Sequence, residues 1–309
     1  MKNPRQLAGA MVLVFASFSG FQPASAELPS LDKQPWLGYY AVAANKRFQF
    51  TLSSTGKIEL TPIGEKGDPV ANTLTIPIEI AIEETLPSGQ IVVKQIQAAS
   101  LESAEPATDK LEKCVIRGKV TGDASFELTI EQSRGGISMG GRVVEPGSLK
   151  NPLRFSIRAK FPNAYPKAEI EEEKDDSKEM TKEEKRAERK AKREAEKEKG
   201  KDKKKADDSE KIAEDRIDMK WTDGTRLKQT FEKKVDASSK ELNGPGIAGA
   251  EVEIGAYQGR KFLFLASPNS SMSLSNDNPA PLFKGFTINW VPDAAKDKDG
   301  KARLSFEVK

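Results

Sequence analysis

Apolar residues recur at every second position through most of this chain. The clearest case is the stretch 74–82, in which Leu74, Ile76, Ile78, Ile80 and Ile82 are apolar. A period of two is typical of a half-buried β-strand, which turns one face to the core and the other to water. A helical pattern appears only near the N-terminus and in one charged segment, so the sequence predicts an all-β fold.

Further alternating stretches extend this prediction along the chain. Short loops that end in glycine, as at Ser54-Thr55-Gly56 and Thr222-Asp223-Gly224, separate some of them. Glycine accepts the positive φ that such hairpin loops need. Besides 74–82, the predicted strands cover residues 48–52, 58–60, 91–96, 114–120, 126–130, 137–144, 153–161, 217–221, 227–231, 250–257, 261–265, 286–291 and 304–308.

The two halves of the chain resemble each other in the order of their alternating segments. Matching segments are separated by a nearly constant 169–178 residues, which indicates an internal duplication. The sequence therefore predicts two related β-sandwich-like units, residues 27–166 and 216–309, with a charged, helical or disordered insert at 167–215 between them. The matching segments are 47–50 with 216–219, 76–82 with 250–256, 90–96 with 260–266, 114–120 with 285–291, and 126–132 with 304–309.

The insert between the two predicted units is rich in both charges. Of the fifty residues from Lys167 to Arg216, eighteen are basic and nineteen acidic, so the segment has almost nothing apolar to bury. Residues 182–199 consist only of Ala, Glu, Lys and Arg, which favours a solvated helix. Residues 201–208 are expected to be frayed or disordered, and the segment as a whole is expected to be a spacer.

The centre of this insert is also a candidate binding element. Residues 185–205 carry a net charge of +7, which would attract an anionic surface such as lipopolysaccharide, an acidic polysaccharide or a membrane face. Nucleic acid is not expected as a partner, because no aromatic residue is interleaved for base stacking. The candidate residues for anionic-surface binding are Lys185, Arg186, Arg189, Lys190, Lys192 and Arg193.

The N-terminus has the features of a secretory signal peptide. Lys2 and Arg5 precede an apolar stretch at 7–18, and Ala24-Ser25-Ala26 supplies the small residues of a cleavage site. The apolar stretch is shorter than the roughly 20 residues that cross a bilayer. We therefore expect residues 1–26 to be a signal peptide on an exported protein, periplasmic or extracellular, that does not span a membrane.

Composition excludes several classes of chemistry. The chain has no histidine, which removes the Ser-His-Asp and Cys-His arrangements and the usual zinc sites. Its single cysteine, Cys114, cannot form an intramolecular disulfide. The formal net charge of +3 falls to +1 without Lys2 and Arg5 and favours no partner class. No motif for a catalytic residue, cofactor or metal stands out, and none is predicted.

Three aromatic residues cluster at the start of the predicted mature chain. Trp36, Tyr39 and Tyr40 could stack on sugar rings if they are exposed. Packing of the first strand is the alternative, because large aromatic side chains are usually mostly buried.

Together these features favour an exported, non-enzymatic binding or structural protein of the cell envelope. Its partner would be an envelope component, a glycan or another protein. One alternative is a periplasmic carrier of a lipid or small molecule, in which both halves form one curved sheet around an apolar cavity. The other is a histidine-free hydrolase with two carboxylates facing each other about 5–9 Å apart.

The signal peptide leads to a first prediction. If residues 1–26 are removed on export, the intact mass of the exported protein will correspond to a chain that begins at Glu27. Exported material that still contains Met1 to Ala26 would contradict the interpretation of this segment as a cleaved signal.

Overall fold

The computed structural model of the protein describes residues 27–133, 135–165, 203–232, 246–276 and 281–309. Strands dominate these residues, so the all-β class predicted from the sequence is confirmed. One α-helix, α1 (Lys203–Glu214), and three short 3-10 helices (Asn72–Leu74, Gly255–Tyr257 and Leu282–Lys284) complete the regular structure of these described residues. None of the helices in the described ranges has the length and apolar character that crossing a membrane requires.

Seventeen strands are described. In chain order they are β1 (Tyr39–Ala44), β2 (Phe48–Ser53), β3 (Ile58–Pro62), β4 (Ile76–Thr85), β5 (Ile91–Lys94), β6 (Ile96–Ser103), β7 (Lys113–Val120), β8 (Ser125–Ser133), β9 (Gly136–Glu145), β10 (Leu153–Phe161), β11 (Arg216–Trp221), β12 (Arg226–Thr230), β13 (Ile247–Glu253), β14 (Lys261–Ala266), β15 (Ser270–Ser275), β16 (Phe286–Pro292) and β17 (Leu304–Val308).

These strands pair antiparallel in one large sheet that curls into two facing layers. The order in the first layer is β6, β7, β8, β9, β17, β14, β13, β11 and β12. The order in the second is β15, β16, β10, β4, β3, β2 and β1, and β5 pairs with the end of β4 beyond β3. The pair Ile247 and Met272 links β13 of the first layer to β15 of the second.

Buried aromatic side chains hold the two layers together. Phe161 of β10 lies edge to face against Phe262 and Phe264 of β14, with ring centroids 5.5 and 5.8 Å apart. Farther along, Phe50 of β2 meets Phe306 of β17 at 6.2 Å. Burying each such ring contributes about 1.5–3 kcal/mol, so these contacts between the layers form the centre of the core.

Each layer combines a block of strands from each predicted unit. In the first layer the two blocks join where β9 pairs with β17, and in the second where β10 pairs with β16.

The predicted duplication is not confirmed by the pairing. In the first predicted unit, β7 and β8 pair with each other. Their proposed counterparts in the second unit, β16 and β17, do not pair with each other: β16 pairs with β10 and β15, and β17 pairs with β9 and β14. The boundaries at 27–166, 167–215 and 216–309 stay a prediction.

Three strands were not predicted from the sequence. β1 is almost continuously apolar and lacks alternation, and β6 and β15 are rich in serine or alanine. Serine and alanine have no special preference for strands, so only the pairing of β6 and β15 with neighbouring strands defines them.

The charged insert is partly described, and its C-terminal end corrects the sequence prediction. Residues 203–208, part of the segment 201–208 that was expected to be frayed or disordered, belong to α1, and Ile212 of the same helix is fully buried in the core. Ile212 therefore docks the C-terminal part of α1 onto the core. The predicted solvated helix at 182–199 and the six candidate anion-binding residues from Lys185 to Arg193 lie outside the described residues.

Asp215 ties the end of this insert to the sheet. Its buried carboxylate accepts hydrogen bonds from the Gly255 N–H, at 2.8 Å, and from the Tyr165 hydroxyl. Burial raises the pKa of Asp215 above the ordinary range of aspartate, although these two hydrogen bonds oppose the rise. Because Tyr165 lies just before the insert and Asp215 ends it, the two ends are held together.

The docking of α1 leads to a second prediction. Replacing residues 167–202 with a Gly/Ser linker should leave the midpoint of thermal unfolding nearly unchanged, since that segment has almost no apolar side chains. Ile212→Ala should instead lower the free energy of unfolding by about 2–4 kcal/mol, because it leaves a cavity in the core. The matched control is Leu37→Ala, at a position that is 58% exposed. Equal effects of Ile212→Ala and Leu37→Ala in denaturant titrations would contradict the docking.

Candidate ligand-binding groove

A polar groove of about 660 Å³ runs across the outer face of the second layer. It forms there because every second residue of a strand points away from the core, and in four adjacent strands those outward residues are mostly polar. The strands are β4, β10, β16 and β15. Their lining residues are Glu83, Arg154, Ser156, Arg158, Lys160, Thr287, Asn289, Val291, Ser271, Met272, Ser273 and Ser275, with Ile91 and Val93 of β5 at one side.

The strand registers place these side chains in rows across the groove. Arg154 of β10 lies opposite Glu83 of β4. On the other edge of β10, Arg158 lies opposite Asn289 of β16, which in turn lies opposite Ser273 of β15. Directly opposed side chains in a sheet have Cβ atoms about 4.5–5.5 Å apart, so one ligand could contact neighbours in a row together.

Glu83 is the buried centre of the charged part of the groove. It is only 3% exposed, yet its carboxylate accepts hydrogen bonds from three side chains. Arg158 Nη2 and Ser156 Oγ donate to Oε1 at 2.6 and 3.0 Å, and Arg154 donates to Oε2 from Nε at 2.9 Å and also from Nη2. Burial by itself disfavours the charged form, but the bonds from the two arginines and the serine outweigh it and lower the pKa of Glu83.

The neighbouring pair of Lys160 and Glu79 is a weaker feature. Lys160 Nζ lies 2.7 Å from Glu79 Oε1, and both side chains are nearly half exposed. Exposed ion pairs contribute only about 0–1 kcal/mol. This pair therefore neutralises one positive charge at the side of the groove without fixing its shape.

Hydroxyl and amide side chains form the opposite side of the groove. Ser271, Ser273 and Ser275 occupy alternate positions of β15, and all three are partly exposed. Asn289 Nδ2 donates to Ser275 Oγ at 2.7 Å, which orients the amide. Each of these groups can both donate and accept hydrogen bonds, so this side suits a ligand with many hydroxyl groups.

Exposed aliphatic side chains flank the polar rows. Ile91 and Val93 of β5 are each 50% exposed, and Val291 of β16 is partly exposed at the other side. A ligand with both apolar and polar faces could use these side chains for contact. No group of three or more His, Cys, Asp or Glu residues suited to hold a metal ion occurs among the residues that the structure describes.

Two other concave regions of the described chain contain no network like that around Glu83. A groove of about 630 Å³ on the first layer is lined by β11–β14 and mixes acidic, basic and apolar side chains, among them Asp218, Lys220 and Leu265. A smaller, apolar opening of about 250 Å³ lies beside the hairpin of β2 and β3. Neither contains a buried charged group with converging partners comparable to Glu83.

The aromatic residues singled out from the sequence lie away from the groove. Tyr40 is fully buried and donates its hydroxyl hydrogen bond to Ser103 Oγ at 2.6 Å, so its ring offers no face to a sugar. Trp36 and Tyr39 are partly exposed and pack edge to face, with ring centroids 6.1 Å apart. Glycan stacking on those two residues stays a prediction.

Sequence reasoning missed the residues that line the groove. The signal that could have found them is the outward set of the predicted strand 153–161, where Arg154, Ser156, Arg158 and Lys160 are all polar. Three long basic side chains at outward positions of one strand, Arg154, Arg158 and Lys160, mark a candidate site. Its partners Glu83 and Asn289 could not be found this way, because they come from distant segments.

The chain was compared with known proteins. No family model matches it, and no curated protein matches it. Among solved structures, a candidate aldose 1-epimerase from Escherichia coli K12 matches with 11% identity and a TM-score of 0.43, over 88% of this chain and 98% of that chain. A galactose mutarotase-like protein from Lactobacillus casei ATCC 334 matches with 11% identity and a TM-score of 0.42, over 87% of this chain and 98% of that one.

These comparisons correct the function predicted from the sequence. That prediction was a non-enzymatic binding or structural envelope protein, with a carrier or a carboxylate hydrolase as alternatives. The structures found are instead described as an aldose epimerase and a mutarotase-like protein, so the expectation that the chain is not an enzyme is corrected as well. At this identity and TM-score the likeness assigns no role to any residue, and the case for a ligand rests on the groove itself.

The network around Glu83 leads to a third prediction. Glu83→Gln should lower the free energy of unfolding at pH 7 by about 1.5–3 kcal/mol, the range for hydrogen bonds to charged groups. A lowered folded-state pKa gives stability that is present above the unfolded pKa of about 4.3 and is lost as the pH falls through the folded value. The difference between wild type and variant should therefore shrink in strongly acidic buffer.

Urea titrations at pH 7 and at acidic pH measure this difference. Glu79→Gln is the matched control, since Glu79 is an exposed glutamate on the same strand face and its pair with Lys160 contributes little. If Glu83→Gln and Glu79→Gln have the same effect at pH 7, Glu83 does not organise the groove.

Proposed function

We propose that this chain recognises a carbohydrate in the polar groove of the second layer. The observation that carries the proposal is the row of outward-facing hydroxyl and amide side chains on β15 and β16, which face the arginine pair of β10 across the same groove. The residues in that row are Ser271, Ser273, Ser275, Thr287 and Asn289.

The chemistry of the row matches the chemistry of a sugar. Sugar hydroxyl groups both donate and accept hydrogen bonds, and serine, threonine and asparagine side chains do the same. The volume of about 660 Å³ lies within the range of roughly 300–1,000 Å³ that ligand pockets span. The aliphatic side chains of Ile91 and Val93 supply contacts for the C–H groups of a sugar ring.

Affinity for a single sugar should be modest. The groove is open, and among its lining residues no aromatic side chain is present to stack on a ring. Each hydrogen bond contributes a net of about 0.5–1.5 kcal/mol, so a few of them support dissociation constants nearer to 1 mM than to 1 nM, which correspond to about −4 and −12 kcal/mol. Longer saccharides that cover more of the rows should bind more tightly.

The predicted signal peptide bears on the source of the ligand. If the chain is exported, the groove would meet saccharides of the envelope or of the surrounding medium. Any proton-transfer chemistry on a bound sugar would draw on Glu83, the buried carboxylate of the groove. Its lowered pKa and its two arginine partners make it a weak base.

A fourth prediction tests recognition. Titration calorimetry with a panel of neutral and acidic monosaccharides and trisaccharides should detect binding of at least one of them to the chain without residues 1–26. Ser273→Ala and Asn289→Ala should each weaken binding about 2- to 10-fold, the loss of one net hydrogen bond. Ser138→Ala is the control, because Ser138 is a partly exposed strand serine on β9 of the other layer.

Two outcomes would contradict the proposal. One is that no saccharide in the panel binds, and the other is that Ser138→Ala weakens binding as much as Ser273→Ala. Polarimetry on the same preparation measures whether the chain speeds the interconversion of sugar anomers. A rate that disappears in Glu83→Gln would extend the activity of the groove from recognition to catalysis.

A further inference from the structure

We infer that the groove selects saccharides that carry an acidic group, a carboxylate or a sulfate, and that Arg154 and Arg158 bind this group. The inference rests on the proposed function and adds the class of ligand to it. It is carried by the arrangement of the two guanidinium groups over a shared buried carboxylate.

The groove has a surplus of positive charge. Its lining contains three cationic residues, Arg154, Arg158 and Lys160, but only one carboxylate, Glu83. Lys160 is neutralised by Glu79 at 2.7 Å, and Glu83 compensates one of the two arginines. One positive charge is therefore left over in the groove, although the chain as a whole is close to neutral, with a formal net charge of +3 over 309 residues.

The geometry presents this charge to the groove. Arg154 and Arg158 lie four residues apart on the same face of β10, and they bond to different oxygens of Glu83. The Glu83 side chain is 4% exposed, whereas those of Arg154 and Arg158 are 49% and 25% exposed. The arginines thus cover the carboxylate and remain in contact with solvent themselves.

Each guanidinium group keeps donors for a ligand. A guanidinium has five N–H donors in a planar fork. Arg154 uses Nε and Nη2 on Glu83, and Arg158 uses Nη2. In the described part of the chain, no residue accepts a hydrogen bond from the Nη1 atoms of these two arginines. Free guanidinium N–H groups match the oxygen spacing of carboxylate and sulfate groups, with which arginine forms charge-assisted bonds.

Glu83 holds the side chains of Arg154 and Arg158 in a defined arrangement. A flexible arginine loses side-chain entropy when it binds a ligand, at a cost of about 0.5–1.5 kcal/mol. Here the bonds to Glu83 have already fixed both side chains, and Asn289 lies opposite Arg158 in register. A saccharide whose acidic group meets the arginines would therefore have ring hydroxyls within reach of Asn289 and Ser273.

The experiment compares three trisaccharides of the same length: neutral galactose units, galacturonate units and sulfated galactose units. Calorimetry uses the chain without residues 1–26. We expect at least one acidic trisaccharide to bind 10-fold or more tightly than the neutral one. This preference should fall with added salt, because screening weakens charge interactions. The comparison of uronate with sulfate identifies which acidic group the groove takes.

Arginine variants test whether Arg154 and Arg158 cause the preference for acidic trisaccharides. Arg158→Gln and Arg154→Gln should each weaken binding of the preferred acidic trisaccharide about 10-fold and weaken binding of the neutral one by a smaller factor. Arg158→Lys, which keeps the charge but loses the fork, should give an intermediate loss. Arg117→Gln is the matched control, because Arg117 is an exposed arginine on β7 of the other layer, paired with Glu127 at 3.0 Å. Should Arg158→Gln unfold the protein, Arg154→Gln still tests the assignment, since its side chain is half exposed.

The outcomes separate this inference from the proposed function. Equal binding of neutral and acidic trisaccharides by the wild type would overturn the inference and leave sugar recognition intact. So would an acidic preference that Arg154→Gln and Arg158→Gln reduce no more than Arg117→Gln does. If none of the three trisaccharides binds, sugar recognition fails, and the inference fails with it.

Discussion

The pairing of β10 on both of its edges is the interaction on which the rest of the structure depends. One edge pairs with β4 and the other with β16, so this strand joins the N-terminal and C-terminal blocks of the second layer. Its inward face carries Phe161, which contacts both layers of the core. Its outward face carries Arg154 and Arg158. One strand thus supports the core on one side and builds the candidate site on the other.

This arrangement places the buried carboxylate of Glu83 next to a strand that can stabilise it. A buried carboxylate is unfavourable unless charged and hydrogen-bonding partners surround it. Glu83 obtains three such partners from β10, whose backbone is fixed by ladders on both edges. Because the strands hold the guanidinium groups in place, a ligand would meet an ordered surface instead of mobile side chains. The rigidity of the sheet is therefore part of the proposed selectivity.

The charged insert shows how composition can hide a structural role. Its low apolar content suggested a solvated spacer, yet its described end is anchored through Ile212 in the core and through the Asp215 carboxylate, which meets Tyr165 and Gly255. Ile212 and Asp215 thus have a structural role that the average composition of the insert does not indicate.

The sequence by itself determined the all-β class, most of the strands and the outward direction of Arg154 and Arg158, because a period of two is a local property of each strand. It did not determine that Asn289 lies beside Arg158, that Glu83 lies beneath both arginines, or that the serine-rich β15 is a strand. Those neighbours come from distant parts of the chain. Their pairing depends on how the apolar faces of the two layers pack into one core. The alternation within a single strand does not encode the energy of that packing.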